Sequence, residues 1–525
     1  MHRTGWVLTF LLLTLLVGTL SVGAQKNIVT MSLNQGIGTI DPAKVTDWTE
    51  AMVMVNLYDS LVTPKPDGTM AGLIAREWEI SPDGLEYVFK LHRGIKFHDG
   101  TELKAEDVKF SLERVLALKQ GYSWLWADIV KEVVVHDDYT VAFILKEPFS
   151  PFLSTLPWLA IVNKDQVLAN KKPGNFGEYG DYGQEWLLNN DAGSGAYMFK
   201  SWTRGNEIVF TKFDDYFLGW REGAIDEVRA KEIPPGNDAT VIAEMRTGAL
   251  TIADHYRSLE TYAQIERLPN ASVKTALSGE ALYLKINTKK PPMDNVHVRR
   301  AISYAFDYQT FIEQIDPGAK QLRGPIPDTI AGHNPNAKMY TQDLAKAREE
   351  LAKSGYRPGQ LTINLCYVDG FELEERLALL FQANMAQIGI NVVLQPETWG
   401  RITDLAANVE TTPHLTAVFS AANYPDPDNY LFTAYHSSAA GTWMSMEWLQ
   451  DPEIDRLIER SRVEVDPVKR NELFYEIQDR LTDLATDIFI YALPKRYGMQ
   501  NYLHGFEFVP VMSFEYDFHK MYIKR

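Results

Sequence analysis

Cysteine is almost absent from this chain of 525 residues, which contains one copy, Cys366. A single cysteine excludes an intramolecular disulfide, and its place in the apolar run 361–368 predicts a buried, unreactive thiol. Excess positive charge is also missing, because the formal net charge is -17. No stripe of Lys and Arg is present that could bind phosphates, so nucleic acid is excluded as a partner.

The common signatures of enzymes are missing as well. The sequence contains no G-x-S-x-G elbow, no H-E-x-x-H and no P-loop. His98 and Asp99 are adjacent, but a metal site needs several convergent ligands, so we expect a structural turn, no metal and no cofactor. Acidic pairs are abundant, and on residue type alone a secreted glycoside hydrolase stays an alternative.

Residues 1–24 have the pattern of a secretory signal peptide. His2 and Arg3 precede an uncharged apolar stretch, and Val22-Gly-Ala24 supplies small residues for cleavage. The alternative is an uncleaved anchor, because this stretch could just span a bilayer. No cysteine follows Ala24 for lipid attachment, and no later segment is apolar enough to cross a membrane. We therefore expect an exported, periplasmic protein.

The length predicts two to four domains, and the distribution of elements predicts a mixed α/β fold. In the second half, strands at 361–368 and 390–395 flank a helix at 373–387, which favours a parallel sheet. Other signals there are a capping Asn295 and the pairs Asp451-Pro452 and Asp466-Pro467, each of which predicts a helix start. The first half is richer in strands, with candidates at 87–91, 140–145 and 207–211.

Several segments, in this order, resemble the family 5 extracellular solute-binding proteins, which include oligopeptide, dipeptide and nickel receptors. The matching segments are Asn56–Val62, Leu73–Trp78, Phe89–Gly100, Ala105–Ser111, Gly193–Tyr197, Asn287–Pro292 and Tyr424–Tyr430. Each segment alone is a weak signal, but the ordered set is specific and covers nearly the whole mature chain.

The resemblance implies a two-lobed periplasmic-binding-protein-like fold with an extra strand-rich domain inserted in the first lobe. The implied boundaries are 1–24 for the signal peptide, 25–58, 195–277 and 495–525 for the first lobe, 59–194 for the inserted domain and 278–494 for the second lobe. It also implies a monomeric receptor, not an enzyme, that binds a small molecule between hinged lobes and delivers it to an ABC permease in the inner membrane.

Asn423 departs from the pattern of peptide-binding relatives. These relatives commonly have an aspartate just before the turn that begins at Tyr424, and it pairs with the α-ammonium group of the peptide. An amide brings no charge, and a buried ammonium without a carboxylate is costly, unless another acid such as Glu280 compensates. The neighbouring prolines 425 and 427 predict an extended, rigid loop.

Aromatic residues supply the other argument about the ligand. Trp and Tyr offer an apolar face for a sugar ring together with a polar edge. Together with Asn423, they favour an oligosaccharide over the alternative, an oligopeptide or dipeptide. The resulting candidates for ligand contact are Trp48, Trp158, Glu280, Trp399, Asn423, Tyr424 and Trp443.

The variant Asn423→Asp tests this interpretation. If the ligand is a neutral sugar, the added carboxylate is desolvated without a cation, and binding should weaken by about 1–3 kcal/mol. Calorimetric titration of both proteins with di- to tetrasaccharides measures the change. Unchanged or tighter binding of sugar would remove Asn423 from the site.

Overall fold

A computed structural model describes residues 26–234 and 236–525 of the chain. The predicted signal peptide lies outside these residues. Within them, none of the helices combines the length and the apolar character that crossing a bilayer requires.

The strands are numbered in chain order. They are β1 (Ile28–Leu33), β2 (Val62–Pro64), β3 (Met70–Gly72), β4 (Ala75–Ile80), β5 (Glu86–Leu91), β6 (Val130–Asp137), β7 (Thr140–Leu145), β8 (Tyr197–Thr203), β9 (Glu207–Lys212), β10 (Glu227–Glu232), β11 (Ile252–Ala253), β12 (Ala271–Ile286), β13 (Lys320–Gln321), β14 (Leu361–Val368), β15 (Ile390–Glu397), β16 (Leu415–Ser420), β17 (Asp487–Gln500), β18 (Leu503–His504) and β19 (Tyr522–Ile523).

The α-helices are numbered in the same way. They are α1 (Trp48–Leu57), α2 (Ala105–Leu118), α3 (Trp124–Ala127), α4 (Phe152–Thr155), α5 (Lys164–Ala169), α6 (Asp238–Thr247), α7 (Leu259–Glu266), α8 (Val296–Ala305), α9 (Tyr308–Thr310), α10 (Leu344–Lys353), α11 (Glu372–Ala386), α12 (Trp399–Ala406), α13 (Pro427–Tyr435), α14 (Pro452–Val463) and α15 (Pro467–Leu484).

One sheet runs through both halves of the molecule. Its strand order is β15-β14-β16-β12-β17-β11-β1-β10-β9-β8. We call the part around β1 and β8–β11 the first lobe and the part around β14–β16 the second lobe. A separate sheet of order β4-β5-β7-β6, called the small sheet below, is formed by residues between β1 and β8.

The long antiparallel strands β12 and β17 pass from one lobe to the other. Their pairing runs from Ala271 opposite Gln500 to Lys285 opposite Asp487. The register shifts between Leu277 and Ala281, which marks a bulge in β12. A bulge interrupts the ladder and bends the strand, so the strands that join the two lobes are irregular at this point.

Several local predictions from the sequence are confirmed. Strands β14 and β15 pair in parallel, with Leu361 opposite Ile390, and helix α11 connects them. Asp451 and Asp466 cap α14 and α15 through their side chains. Cys366 is buried, as its apolar surroundings predict.

The prediction of an extended loop around Pro427 is wrong. Helix α13 begins at Pro427, and the Asp426 side chain accepts a hydrogen bond from the Asp428 amide at 2.9 Å. The fixed φ of proline suits the first turn of a helix, and a preceding carboxylate satisfies a free amide there. The Asp-Pro signal that predicts α14 and α15 therefore applies to α13 as well.

A buried charge cluster fastens the second lobe to the two crossing strands. Lys285 in β12 lies opposite Asp487 in β17, and its Nζ lies 2.5 Å from Glu447 Oε1. Tyr435 donates to Asp487 Oδ2 at 2.9 Å. Burial raises the pKa of Glu447, and the Lys285 ammonium opposes that rise. The cluster ties α13 and the segment around Glu447 to the centre of the sheet.

A second buried ion pair joins the region of the small sheet to the chain that precedes α1. Arg114 in α2 donates to both carboxylate oxygens of Asp41 at 2.7 Å. Its Nε donates to the Tyr182 carbonyl at 2.9 Å. Both side chains of the pair are 1% exposed, so each charge depends on the other.

Asp41→Asn should therefore destabilise the protein strongly. The substitution leaves the Arg114 guanidinium buried without its counter-charge, which costs about 3–5 kcal/mol in the free energy of unfolding. Denaturant unfolding followed by circular dichroism measures this loss.

The matched control is Asp138→Asn. Asp138 pairs with Lys104 at 2.7 Å, but the two side chains are 62% and 45% exposed. Water screens this pair, so its loss should leave the unfolding midpoint where it is. Equal effects of the two substitutions would contradict the importance given to the buried pair.

Candidate functional site

A cavity of about 200 Å³ lies between the lobes, at the bulge of β12. Residues of both lobes and of the C-terminal segment line it. The lining residues are Trp158, Tyr256, Ser278, Gly279, Glu280, Ala421, Ala422, Asn423, Lys495, Phe508, Val509, Pro510, Val511 and Met512.

The topology explains why these residues meet. Residues 278–280 form the bulge of β12, so their backbone turns away from the ladder. Residues 421–423 follow the end of β16, which pairs with β12 up to Ala281 opposite Ser420. Crevices beside the ends of strands in open α/β sheets are the usual places for ligands. The cavity is therefore a built feature of the fold.

Two opposite charges face this cavity. Glu280 and Lys495 are both half-buried, and neither has an ion-pair partner among the residues that the structure describes. Behind the wall, the buried Glu515 carboxylate accepts from the Tyr497 hydroxyl at 2.8 Å. Burial raises the pKa of Glu515, while the positive charge of Lys495 lowers it. An acid and a base are thus available to a bound molecule.

Three of the predicted site residues come together at this cavity: Trp158, Glu280 and Asn423. The Trp158 indole donates to the Asn423 carbonyl, which links the two sides of the cleft. Tyr122 stacks on Trp158 with ring centroids 4.1 Å apart, and Trp158 is only 3% exposed. Its faces are therefore largely covered by protein.

Two other predicted residues lie behind the cavity wall. Trp48 is 5% exposed and packs against Tyr256, with ring centroids 5.5 Å apart. Tyr424 is buried, and its hydroxyl donates to Asp428 at 2.8 Å. Neither side chain lines the cavity, and contact of either one with a ligand stays a prediction.

Trp399 and Trp443 form a pair elsewhere in the second lobe. Their ring centroids lie 5.2 Å apart in an edge-to-face arrangement, and Trp399 is exposed. Trp399 begins α12, just after the end of β15. The pair does not line the cavity, so its predicted contact with a ligand is also untested.

The cavity is also lined by residues that are not predicted from the sequence: Lys495, Tyr256 and the segment 508–512. Lys495 is a charged residue within the otherwise largely apolar strand β17, and this contrast is a signal that could have drawn attention to it. The segment 508–512 has no such signal, because it reaches the cavity only through the folding of the C-terminal region onto the first lobe.

Asp426, Asp428 and His98 have structural partners. Arg470 makes two hydrogen bonds to Asp426, at 2.7 and 2.8 Å. His98 contacts Asp191 at 2.5 Å and the Gly195 carbonyl at 2.9 Å. The His98 contacts agree with the structural turn expected there, and the Arg470 contacts hold the start of α13.

The chain is similar to known proteins along most of its length. The family described as bacterial extracellular solute-binding proteins, family 5 Middle, matches residues 69–442, which is more than half of the chain. A probable D,D-dipeptide-binding periplasmic protein of Escherichia coli K12 is 29% identical over 491 residues, 92% of each chain. A dipeptide-binding protein of the same strain is 27% identical over 468 residues, 83% of each chain.

A solved structure gives the same result for the fold. The ABC transporter-associated periplasmic binding protein DppA of Helicobacter pylori, in complex with the peptide STSA, has 27% identity and a TM-score of 0.75. The alignment covers 95% of this chain and 98% of that one. The predicted two-lobed α/β fold is confirmed, and the relatives are binding proteins, not enzymes. The chain belongs to the family 5 bacterial extracellular solute-binding proteins.

Proposed function

We propose that this protein is the receptor of an ABC importer for short peptides, and that Glu280 and Lys495 hold the two charged ends of the ligand. The observation that carries this proposal is the presence of one free acid and one free base in the same cavity between the lobes. A free peptide carries an ammonium group and a carboxylate, and burying either group is costly without a counter-charge.

Glu280 replaces the charge that Asn423 lacks. Both residues line the cavity, and the side-chain amide of Asn423 has no hydrogen-bond partner within the described part of the chain. A carboxylate at Glu280 can accept from the ligand ammonium, while the Asn423 amide can donate to and accept from a peptide bond. The departure at Asn423 therefore agrees with a peptide ligand once Glu280 is included.

The aromatic residues support a sugar less well than their number in the sequence suggests. Trp158 lines the cavity, but Tyr122 stacks on its ring, and its indole N–H already donates to the backbone carbonyl of Asn423. Trp399 and Trp443 lie outside the cavity lining. The relatives described above are named for peptides, which favours the peptide alternative over the oligosaccharide.

The cavity also favours a short ligand. Its volume of about 200 Å³ is below the roughly 300–1,000 Å³ of typical small-molecule sites, which favours a peptide of only two or three residues. In this proposal a monomer in the periplasm closes around the peptide, and the permease recognises the closed form.

A ligand–protein cycle tests the role of Glu280. Calorimetry with dipeptides and tripeptides first identifies a tight ligand, and the titration is then repeated with its N-acetylated form. Acetylation removes the ammonium, so it should weaken binding to the natural protein by about tenfold to a hundredfold. Glu280→Gln should weaken binding of the free peptide by a similar factor. In this variant, acetylation of the peptide should cause little further loss of affinity.

Glu260→Gln is the control, since Glu260 lies on the exposed face of α7 and its substitution should leave both affinities unchanged.

The same cycle with Lys495→Gln and a C-terminally amidated peptide tests whether Lys495 holds the carboxylate of the ligand. Asn423→Asp should now tighten peptide binding, the opposite of the result expected for a sugar. Heat from oligosaccharides alone would refute the peptide proposal.

A further inference from the structure

The two sides of the cleft also meet outside the ligand cavity. Residues 149–150, which follow the small sheet, contact residues 462–464 at the C-terminal end of α14 in the second lobe. The Ser150 amide donates to the Arg462 carbonyl at 2.7 Å. The Ser150 hydroxyl donates to the Glu464 carbonyl at 2.5 Å. We call this contact between residues 149–150 and residues 462–464 the clasp.

The chemistry of a helix end explains why the clasp is favourable. Helix α14 ends at Val463, and the last carbonyls of a helix have no partner within the helix. Ser150 supplies two donors to carbonyls at this end from the opposite side of the cleft. When the lobes separate, these donors and acceptors return to water, so the contact belongs to the closed form.

Close packing accompanies the hydrogen bonds. Gly84, in the turn between β4 and β5, has a φ of +69°, and a Cβ placed there would lie 2.9 Å from Val465 Cγ1. The Arg462 guanidinium lies 5.0 Å from the ring centroid of Phe149. The β4–β5 turn and residues 149–150, which follow the small sheet, thus both contact the loop between α14 and α15.

Arg462 connects the clasp to the ligand cavity. Its Nε lies 3.1 Å from Asp428 Oδ1, and its guanidinium lies 3.9 Å from the ring centroid of Phe432. The other oxygen of Asp428 accepts from the Tyr424 hydroxyl, and Tyr424 follows the cavity residue Asn423. An unbroken series of contacts therefore leads from the cavity wall to the clasp.

We propose that Ser150 is a positioning residue for closure, and that the clasp stabilises the closed form through contacts that do not involve the ligand. A ligand that binds the closed form gains apparent affinity in proportion to the population of that form. The clasp therefore raises the affinity for whichever solute fills the cavity. This proposal rests on the receptor role of the family and is independent of the identity of the ligand.

Ser150→Ala tests the proposal, because it removes the hydroxyl donor and leaves the backbone intact. Loss of one hydrogen bond across the cleft should raise the Kd by about fivefold. The ligand enters the open form, and the clasp, which also closes a fraction of the ligand-free molecules, then holds it in place. The change should therefore appear mainly in the dissociation rate, with little change in the association rate. Stopped-flow tryptophan fluorescence with a bound peptide, or with whichever solute gives heat in calorimetry, measures both rates.

Two further variants separate positioning from a general effect on the fold. Ser154→Ala is the matched control, because Ser154 lies in the same segment but its hydroxyl donates locally to the Pro151 carbonyl. It should bind as the natural protein does. Ser150→Thr keeps the hydroxyl and should restore the affinity.

Small-angle X-ray scattering of the ligand-free proteins provides a second measurement. Ser150→Ala should shift the ensemble toward larger radii of gyration, while Ser154→Ala should not. Ligand rates and ligand-free scattering identical to those of the natural protein would overturn the clasp. A failure to bind peptides would instead overturn the ligand assignment, and the scattering comparison would still decide the clasp.

Discussion

The antiparallel pairing of β12 with β17 is the constraint on which the rest of the structure depends. These two strands belong to both lobes, and their ladder is interrupted at the bulge near 278–280 and shifts once more between Leu282 and Tyr283. Because the side-chain direction in a strand alternates, the register of this pair decides which residues face the cleft. The position of the cavity and the charges in it follow from that register.

The two strands carry ionisable residues in two different settings. Lys285 is buried and its ammonium pairs with Glu447, while the neighbouring Asp487 accepts from Tyr435, so these charges are held by contacts within the protein. Glu280 and Lys495 line the cavity and have no such partners among the described residues. The first setting stabilises the junction of the lobes, and the second leaves charge available to a solute. A few residues along the same strands separate a structural role from the proposed binding role.

The sequence predicts local structure well where the signal is local. Asp-Pro pairs mark the starts of α14 and α15, and the same signal at Asp426-Pro427 marks the start of α13. The start of α13 is hidden in the sequence because Pro425 and Pro427 together also fit an extended loop. Glu280 could be proposed because this chain has Asn423 where the family pattern has an acid. Lys495 could not be paired with it, since their proximity depends on strand register and on a bulge that leaves no clear mark in the sequence. The aromatic count could not decide the ligand for a related reason, because composition does not show which rings are covered.

In the proposed mode of binding, the bulge gives the ligand and the bending of the sheet a common set of residues. Ser278, Gly279 and Glu280 line the cavity at the point where the sheet can flex. A substitution there that changes which solute fits would also change how easily the lobes move. Substitutions that change the preferred ligand should therefore disturb the motion of the lobes less at 421–423 and 508–512. These residues line the cavity but are not part of the bulge in β12. In receptors of this design, recognition is free to vary mainly where the chain does not bend.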